Sequence, residues 1–474
     1  MKKLLLLSLT MLLPILAHAD AVEINGIYYN LVSKTKKAEV TSNPNRYSGS
    51  IVIPATVDYD GITYDVTSIG SRAFIEDKYV TSVSIPNSVI SIGENAFGYC
   101  DFTSIIIPNS VTTLDKKAFN NCRKLESITM GTGITSIGEK AFQMCMALDK
   151  VIVKDLVAWC QISFNDYPFG WNSGHLYSDE NTEITELVIP DGLTTIKSGT
   201  FHGCKYLTTL IVPNSVTQIE AGAFSKCEGL TEVKLPNSIT CLNGFDNCTG
   251  LSSISIPNSV TTIGAGAFSG CTGFTSFEIP NSVTSIESYA FYGSGLKSIT
   301  IPNNVISIGG DAFLGCDKLT EITIGTGVQT IGDRAFGSCQ EITDVYSYSE
   351  QLPQTNTTAF DNSLIEYATL HVPEAAINSY KTTAPWSGFK EVVAISPSGI
   401  SKLETSETSV KFVDDQLTVE GINDGQIVDV YSLNGEKRGS AVGKNGVAQI
   451  NTNLKAGNIA VIKINNKSVK ITIK

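Results

Sequence analysis

The chain has 474 residues, of which 42% are hydrophobic and 17% are charged, and its formal net charge is −12. An acidic chain without a basic patch argues against nucleic acid and anionic membrane surfaces as partners. The length allows about two to four ordinary domains, each large enough to bury a core.

The amino-terminal residues have the pattern of an export signal. Lys2 and Lys3 precede an apolar stretch over residues 4–16, and Ala17-His18-Ala19 fits a signal-peptide cleavage site. No later apolar run reaches the roughly 18 residues needed to span a bilayer. We therefore predict a signal peptide over residues 1–19 and a protein that is extracellular or on the outer cell surface, without membrane insertion.

Residues 20–66 are predicted to form an N-terminal β cap. The open end of a stack of repeats would otherwise expose core and unpaired strand edges. Tyr28, Tyr29 and residues 51–53 are typical of strands, and Asp60-Gly61 is typical of a hairpin turn.

A phrase of about 23 residues recurs along most of the chain. The copy at residues 251–271 reads Leu-x-x-Ile-x-Ile-Pro-Asn-x-Val-x-x-Ile-Gly-x-x-Ala-Phe-x-x-Cys. Such a period indicates a solenoid, whose units bury their apolar faces only against their neighbours. The intervals between aligned phenylalanines are 21 to 24 residues, except for 59 between Phe142 and Phe201. These phenylalanines are Phe74, Phe97, Phe119, Phe142, Phe201, Phe224, Phe245, Phe268, Phe291, Phe313, Phe336 and Phe360.

The same copy predicts the path of one coil. Residues 251–256 are typical of a short strand, which Pro257 ends because proline cannot donate to a strand ladder. Residues 260–263 are predicted to form a second short extended segment. Residues 267–271 suit one helical or 3₁₀ turn with Phe268 pointing inward.

Nine of the eleven cysteines lie three residues after a repeat phenylalanine. A residue that recurs once per coil is best interpreted as a core row, in which free cysteine acts as a small buried hydrophobe. Stacked neighbours would lie about 5 Å apart, so occasional disulfide pairing stays open as an alternative. The nine are Cys100, Cys122, Cys145, Cys204, Cys227, Cys248, Cys271, Cys316 and Cys339.

The repeat phrase closely resembles the BspA-type leucine-rich repeats of bacterial surface proteins, over roughly residues 50–395. The resemblance implies a leucine-rich-repeat solenoid, here at residues 67–344, with a parallel sheet on one face. It also implies binding to matrix or plasma proteins such as fibronectin and fibrinogen, or to other bacteria. The periodicity by itself predicts only a stacked, β-containing solenoid.

An irregular insertion at about residues 149–186 causes the 59-residue interval. It is rich in aromatic side chains, and repeat insertions often lie on a binding face. One hypothesis makes it a binding knob, with Tyr167, Trp171, His175 and Tyr177 as the candidate binding residues. The alternative is an aberrant coil whose aromatic side chains, Trp159 among them, are core.

The carboxy-terminal residues lack the repeat. Residues 345–395 are predicted to cap the solenoid, with a short helix over residues 373–380. A Pro/Gly/Ser linker follows at residues 396–405. Residues 406–474 contain six or seven short strand patterns and predict a small β-sandwich.

This last region resembles the sorting domain of type IX secretion substrates. The resemblance rests on Val428-Asp-Val-Tyr-Ser-Leu-Asn-Gly435, on Leu454-Lys-Ala-Gly457 and on Lys467-Ser-Val-Lys470. Asn458-Ile459 stands where the family has glycine and tyrosine. The resemblance implies that residues 406–474 form a sorting domain.

The sequence offers no catalytic signature. Outside the signal peptide the histidines are His175, His202 and His371, and no HExxH, GxSxG, Walker or EF-hand spacing occurs. We therefore predict no enzyme, no cofactor and no metal site. The outward strand positions are mostly Ser and Thr, which supply few anchors for a ligand.

Three functions follow from this reading. We expect a secreted or cell-surface repeat protein that mediates protein–protein adhesion, with host matrix proteins or other cells as partners. A structural surface protein is one alternative. A glycan-binding accessory of polysaccharide use is the other.

Overall fold

The computed structural model describes residues 21–165, 174–395, 409–413, 416–432, 436–452, 454, 459–464 and 467–472. The predicted signal peptide and the whole of the predicted linker lie outside these residues. The chain divides into two compact units. One unit comprises residues up to 370 together with 378–392, and the other comprises residues 371–377 together with 393 onward.

The first unit begins with the predicted β cap. Thr56–Tyr59 and Ile62–Ile69 form an antiparallel hairpin across Asp60-Gly61, and both turn residues have positive φ, which confirms the predicted turn. Ile62–Ile69 then pairs in parallel with Ser91–Ile92 of the first coil. The cap therefore covers a strand edge that the repeats would leave open. Its other strands are Val22–Ile24, Ile27–Val32, Lys37–Val40 and Ser48–Val52.

The Leu-x-x-Ile-x-Ile segments form what we call the first ladder. In Ser127–Met130 and Lys150–Val153 the strands pair in parallel, so that Ile128 lies beside Val151. Leucine and isoleucine point into the core because strand side chains alternate between faces. The strands are Tyr79–Ser84, Ser104–Ile106, Ser127–Met130, Lys150–Val153, His175–Tyr177, Glu186–Val188, Thr209–Ile211, Glu232–Lys234, Ser298–Ile301, Glu321–Ile324, Asp344–Ser347, Thr369–Val372 and Glu391–Ala394.

The Val-x-x-Ile segments form a second ladder of two-residue strands. Each isoleucine is buried beside its equivalent in the next coil, as Ile263 is beside Ile286. The strands are Ser91–Ile92, Thr113–Leu114, Ser136–Ile137, Ser163–Phe164, Thr195–Ile196, Gln218–Ile219, Cys241–Leu242, Thr262–Ile263, Ser285–Ile286, Ser307–Ile308, Thr330–Ile331 and Gln354–Thr355.

The strand predicted over residues 251–256 is not formed. Leu251 is buried as predicted, but Ile254 and Ile256 are only half-buried. In the next coil Phe277 takes the place of the isoleucine at 254, and its ring lies 5.0 Å from that of Phe268. This larger ring accompanies the widest spacing in the phenylalanine stack, 6.0 Å between Phe245 and Phe268.

The turn around each phenylalanine also differs from the predicted helical turn. Its backbone is a series of hydrogen-bonded turns, and in most coils the residues two before and two after the phenylalanine have positive φ, such as Gly266 and Gly270. With these left-handed backbone conformations, N–H groups of the turn point toward the next coil. Phe268 N donates to Ala290 O at 2.8 Å, and Gly270 N donates to Tyr292 O at 2.7 Å. The turns therefore form a third series of inter-coil bonds, which we call the turn ladder.

The repeat phenylalanines stack through the core, as their recurrence predicts. Phe268 is fully buried, and its ring lies 5.6 Å from that of Phe291 with an interplanar angle of 21°. From Phe74 to Phe142, and again from Phe201 to Phe360, neighbouring rings are stacked at 5.1 to 6.0 Å.

The cysteine row is a hydrogen-bonding row as well as an apolar one. Cys271 Sγ donates to the carbonyl oxygen of Phe245 in the preceding coil at 3.1 Å, and Cys248 Sγ does the same to Phe224 at 3.2 Å. Ser363 occupies the same slot and its Oγ donates to Phe336 O at 2.6 Å. In these coils the slot therefore holds a small side chain that carries one donor. Burial raises the pKa of the Cys271 thiol to about 12, so the donor hydrogen stays in place.

We expect these thiols to be reduced and inaccessible in the folded protein. None of the eleven cysteines is in a disulfide, and all are buried except Cys241, which is half-buried in the second ladder. A maleimide should therefore label Cys241 in the native protein and the other ten only after denaturation, as read by mass spectrometry. Recovery of four or more disulfide-linked pairs would show that the row is a disulfide ladder.

The solenoid ends in a plug of aromatic side chains. The 3₁₀ turn Glu374–Ala376 leads into the helix Ile377–Thr382, which confirms the helix predicted after Pro373. Tyr380 and Trp386 are fully buried, and the Trp386 ring packs edge-on against Phe360, the last phenylalanine of the stack, at 5.5 Å. Two further 3₁₀ turns are Ile365–Tyr367 and Trp386–Gly388.

The carboxy-terminal strands form two small antiparallel sheets, as the predicted β-sandwich requires. Val428, Val430, Leu417, Val419 and Ile450 lie in one buried cluster. Residues 433–435 and 455–458 of the sorting motif lie outside the described residues. The strands are Ser409–Val413, Gln416–Glu420 and Val447–Asn451 in one sheet, and Ile427–Ser432, Lys437–Val442, Ile459–Ile464 and Lys467–Thr472 in the other.

Candidate functional site

The first half of the insertion is an aberrant coil. The helix Leu156–Gln161 follows the first strand of this coil, where regular coils have the Pro-Asn of the repeat phrase. The Asp155 carboxylate caps this helix by accepting hydrogen bonds from Val157 N and Ala158 N. Trp159 is 2% exposed, and its indole N–H donates to Thr200 O at 3.0 Å. This half of the insertion is therefore core.

The second half rejoins the first ladder. Tyr167 and Trp171 fall in residues 166–173, outside the described residues, so their role as binding residues stays a prediction. His175–Tyr177 pairs in parallel with Lys150–Val153 and forms one more rung. The chain then reverses, and Glu183 pairs antiparallel with Tyr177. This reversal interrupts the ladder and places side chains from several turns of chain in one surface.

We call this surface the insertion patch. It consists of Asp149, Lys150, His175, Tyr177, Glu183 and Tyr206, of which sequence analysis had proposed His175 and Tyr177. The patch lies on the outward side of the first ladder, where the insertion meets the next coil.

His175 is the centre of the patch. Its Nδ1 lies 2.5 Å from Glu183 Oε1, and its Nε2 lies 3.4 Å from Asp149 Oδ1. The imidazole also stacks on the Tyr206 ring, with 3.6 Å between centroids and an angle of 18°. Contacts to both nitrogens and to one face fix the orientation of the imidazole. Because the Tyr206 ring stacks on this fixed imidazole, it is held in place although Tyr206 is half-exposed.

Tyr177 forms the other aromatic wall of the patch. The Lys150 ammonium lies 4.4 Å from the centroid of this ring and donates to Glu180 O at 2.8 Å. Burial raises the pKa of the Tyr177 phenol, and the Glu183 and Asp149 carboxylates raise it further. The phenol is therefore a neutral hydrogen-bond donor at physiological pH.

Some outward positions of the first ladder on either side of the insertion hold exposed apolar side chains. Ile106 and Val188 are 64% and 53% exposed at outward positions, and Ile211 lies beside Val188. These residues are exceptions to outward positions that are mostly Ser and Thr, and Thr129 lies directly beside Ile106. Tyr206 has no signal of its own in the sequence, because the equivalent positions hold residues as different as Tyr79, Gly229 and Glu341.

The remaining histidines have other environments. His202 is 6% exposed in the turn after Phe201, and burial lowers its pKa to about 4. His371 lies in the strand Thr369–Val372. Across the residues described, no group of three or more His, Cys, Asp or Glu side chains is placed to hold a metal ion. The same residues contain no helix long and apolar enough to cross a bilayer.

A family model for the BspA type leucine rich repeat region matches residues 61–167, 176–271 and 242–366, in six copies. The chain belongs to the BspA-type leucine-rich repeat family. The gap in the match falls within the insertion, since the family model stops at residue 167 and resumes at residue 176, in the strand His175–Tyr177. The BspA-type repeats are a repeat region and not a catalytic domain, and proteins built from them are generally surface proteins that mediate protein interactions.

Solved structures of other leucine-rich repeat proteins are similar to this BspA-type chain. A leucine-rich repeat protein from Bacteroides ovatus is 26% identical, with a TM-score of 0.49, and the match covers 78% of this chain and 99% of that one. A leucine rich cell surface protein from Faecalibacterium prausnitzii is 23% identical over 79% and 94% of the two chains, with a TM-score of 0.42. The pneumococcal vaccine antigen PcpA is 16% identical over 79% and 98%, with a TM-score of 0.48. No curated protein is significantly similar to the chain.

Proposed function

We propose that this BspA-type protein is an adhesin, exported to the outer cell surface, that binds an extracellular protein through the insertion patch. The proposal rests on one observation: the His175 imidazole stacks on the half-exposed Tyr206 ring, with 3.6 Å between the ring centroids, and so orders it. Tyrosine side chains that are already ordered give large contact area at low entropic cost. The partner class is a host matrix protein or a protein on another cell.

The chemistry around the rings suits a protein partner. Asp149 is the largely exposed member of the patch and offers a carboxylate to a basic side chain, while Val188, in the first strand after the insertion, adds an exposed apolar side chain. An apolar and aromatic centre with charged groups at its rim is the usual composition of a protein interface. A purely structural surface protein would not require such a centre.

Export and sorting are part of the same proposal. The pattern at residues 1–19 supports passage through the inner membrane, and the motif at residues 428–435, 454–457 and 467–470 supports a type IX sorting domain. Both features support a location of the repeat region outside the cell, where adhesion takes place.

The test is attachment of the purified full chain to immobilised fibronectin, fibrinogen and collagen. We expect Tyr206→Ala and Tyr177→Ala to weaken attachment about tenfold or more, because each removes an aromatic anchor. Tyr367→Ala is the matched control, since that tyrosine is 72% exposed and lies outside the patch.

Thermal unfolding of each variant separates binding from folding. The proposal requires lost attachment at an unchanged melting temperature. If the patch variants melt several degrees lower and their residual binding follows the folded fraction, the rings are core and the binding site lies elsewhere. Equal loss in Tyr367→Ala would also contradict it. Trp171→Ala extends the test to the predicted residue outside the described part of the chain.

A further inference from the structure

One coil of the solenoid is shorter than the others. The interval from Phe224 to Phe245 is 21 residues, against 22 to 24 elsewhere apart from the insertion. The short coil reads Asn243-Gly244-Phe245 where the next coil reads Gly264-Ala265-Gly266-Ala267-Phe268. The two missing residues are thus the counterparts of Ala265 and Gly266, in the turn ladder.

The missing residues remove one rung from that ladder. In six other coils the residue two before the phenylalanine donates its N–H to the next coil, as Gly266 N does to Ser288 O at 3.0 Å and Asn95 N to Lys116 O at 3.2 Å, whereas Gly199 N and Arg334 N make no such bond. The acceptor for Gly222 N and the donor for Ala265 O would both belong to the short coil. Within residues 174–395, all of which are described, neither group has a hydrogen-bond partner.

The missing rung opens a notch in the surface, which we define by Gly222, Gly244, Asp246, Ala265 and Gly266. It is part of a groove of about 730 Å³ that also has Tyr289 and Tyr292 in its wall. This is the size of a small-molecule or sugar site. A Cβ on Gly266 would meet nothing within 4 Å, so the notch is open to solvent.

A single amide group would supply both missing partners. The unpaired N–H of Gly222 belongs to the coil before the gap and the unpaired C=O of Ala265 to the coil after it. A trans amide presents its oxygen and its N–H in opposite directions, as the absent peptide group would have done. An extended peptide strand does not fit equally well, because Asn243 and Gly244 occupy the positions on either side of the gap.

The groove beside the notch has the groups that a sugar ring requires. Tyr289 and Tyr292 are 47% and 43% exposed, with 6.0 Å between their ring centroids, and offer faces for stacking. Asp246 accepts from Ser225 Oγ and Asn247 Nδ2 through the same oxygen, Oδ2. Its other oxygen is left to accept from a sugar hydroxyl.

We propose that the notch binds the acetamido group of an N-acetylated amino sugar in an extracellular glycan, with the sugar ring on the tyrosine wall. The amide would complete the missing rung between Gly222 and Ala265, and Asp246 would bind a ring hydroxyl. This site is on the turn ladder and does not involve the insertion patch, so it is a second binding function of the array.

The test uses the full chain and saturation-transfer NMR with triacetylchitotriose as the probe. We expect a dissociation constant of about 1 mM or tighter and the strongest saturation on the acetamido methyl protons. The fully deacetylated trimer should bind at least about tenfold more weakly, because it lacks the amide. Equal binding of the two trimers, or no binding of the acetylated one, would overturn the proposal.

Two variants locate the site. Insertion of Ala-Gly between Asn243 and Gly244 restores the rung with the sequence of the next coil, so it should abolish binding without lowering the melting temperature. Tyr292→Ala removes an exposed ring and should weaken binding while leaving the fold intact. Tyr206→Ala should bind the trimer like the unaltered protein, which separates this proposal from adhesion through the insertion patch. An acetyl-lysine peptide that binds where the trimer does not would assign the notch to protein instead.

Discussion

Phe268→Ala is expected to lower the free energy of unfolding by about 3–5 kcal/mol, the usual loss for a phenylalanine cavity. The ring is fully buried and contacts the rings of Phe245, Phe291, Phe274 and Phe277 at 5.0 to 6.0 Å. Because coils are stabilised only by their neighbours, the cavity weakens two inter-coil interfaces at once. Urea unfolding followed by far-UV circular dichroism measures the loss.

Two control variants show whether the loss comes from the buried ring. Phe268→Leu keeps most of the volume and should cost less than half as much, while Tyr367→Ala removes an exposed ring and should change the free energy of unfolding by less than about 0.5 kcal/mol. A Phe268→Ala protein as stable as Tyr367→Ala would contradict the stacked core.

The second large effect is loss of stability in alkaline solution. Burial raises the pKa of Cys204 and Cys271 to about 12 and that of Cys316 to about 11, from an ordinary value of 9.0. Above pH 9 the unfolded chain loses these protons, whereas the folded chain keeps them until its own pKa is reached. The unfolded state then binds fewer protons, so the free energy of unfolding falls as pH rises.

The expected slope is up to about 1.4 kcal/mol per pH unit for each thiol, between pH 9 and the folded pKa. Below pH 9 the contribution is fully present. Several thiols titrate together, because burial raises the pKa of Cys227, Cys248 and Cys339 as well. The array should therefore unfold over a narrow range of alkaline pH, as measured by urea unfolding at successive pH values.

Cys271→Ser isolates the thiol contribution from that of tyrosines and lysines. Serine keeps a small donor in the slot, as Ser363 shows, but does not titrate. Between pH 9 and 12 the free energy of unfolding of this variant should fall less steeply with pH, by an amount that corresponds to about one proton. An unchanged slope would mean that the Cys271 thiol is not protonated in the folded state.

Much of the candidate site was out of reach of sequence reasoning. His175 and Tyr177 were found because the insertion breaks the period. Asp149, Glu183 and Tyr206 belong to different segments, and only the return of the chain to the ladder at His175–Tyr177 brings them together. The position of Tyr206 is regular, so its interaction with the insertion could not be deduced from spacing.

The repeat determined the architecture without any tertiary information. A phenylalanine and a small residue at fixed positions in each period must form continuous rows once coils stack, so Phe268 and Cys271 were placed in the core correctly. The same reasoning predicted a cap over residues 345–395, because an open end would expose the last phenylalanine, and in the structure Tyr380 and Trp386 are buried at that end.

The bonds between coils were decided only by the tertiary structure. Periodicity gives the positions that face inward, but not the partner of each N–H and C=O group. The left-handed residues of the turns direct their N–H groups to the next coil, and the Cys271 thiol donates to the carbonyl of the coil before it. A deletion of two residues is a small change in sequence, yet it leaves Gly222 and Ala265 without partners because those partners belong to a neighbouring coil.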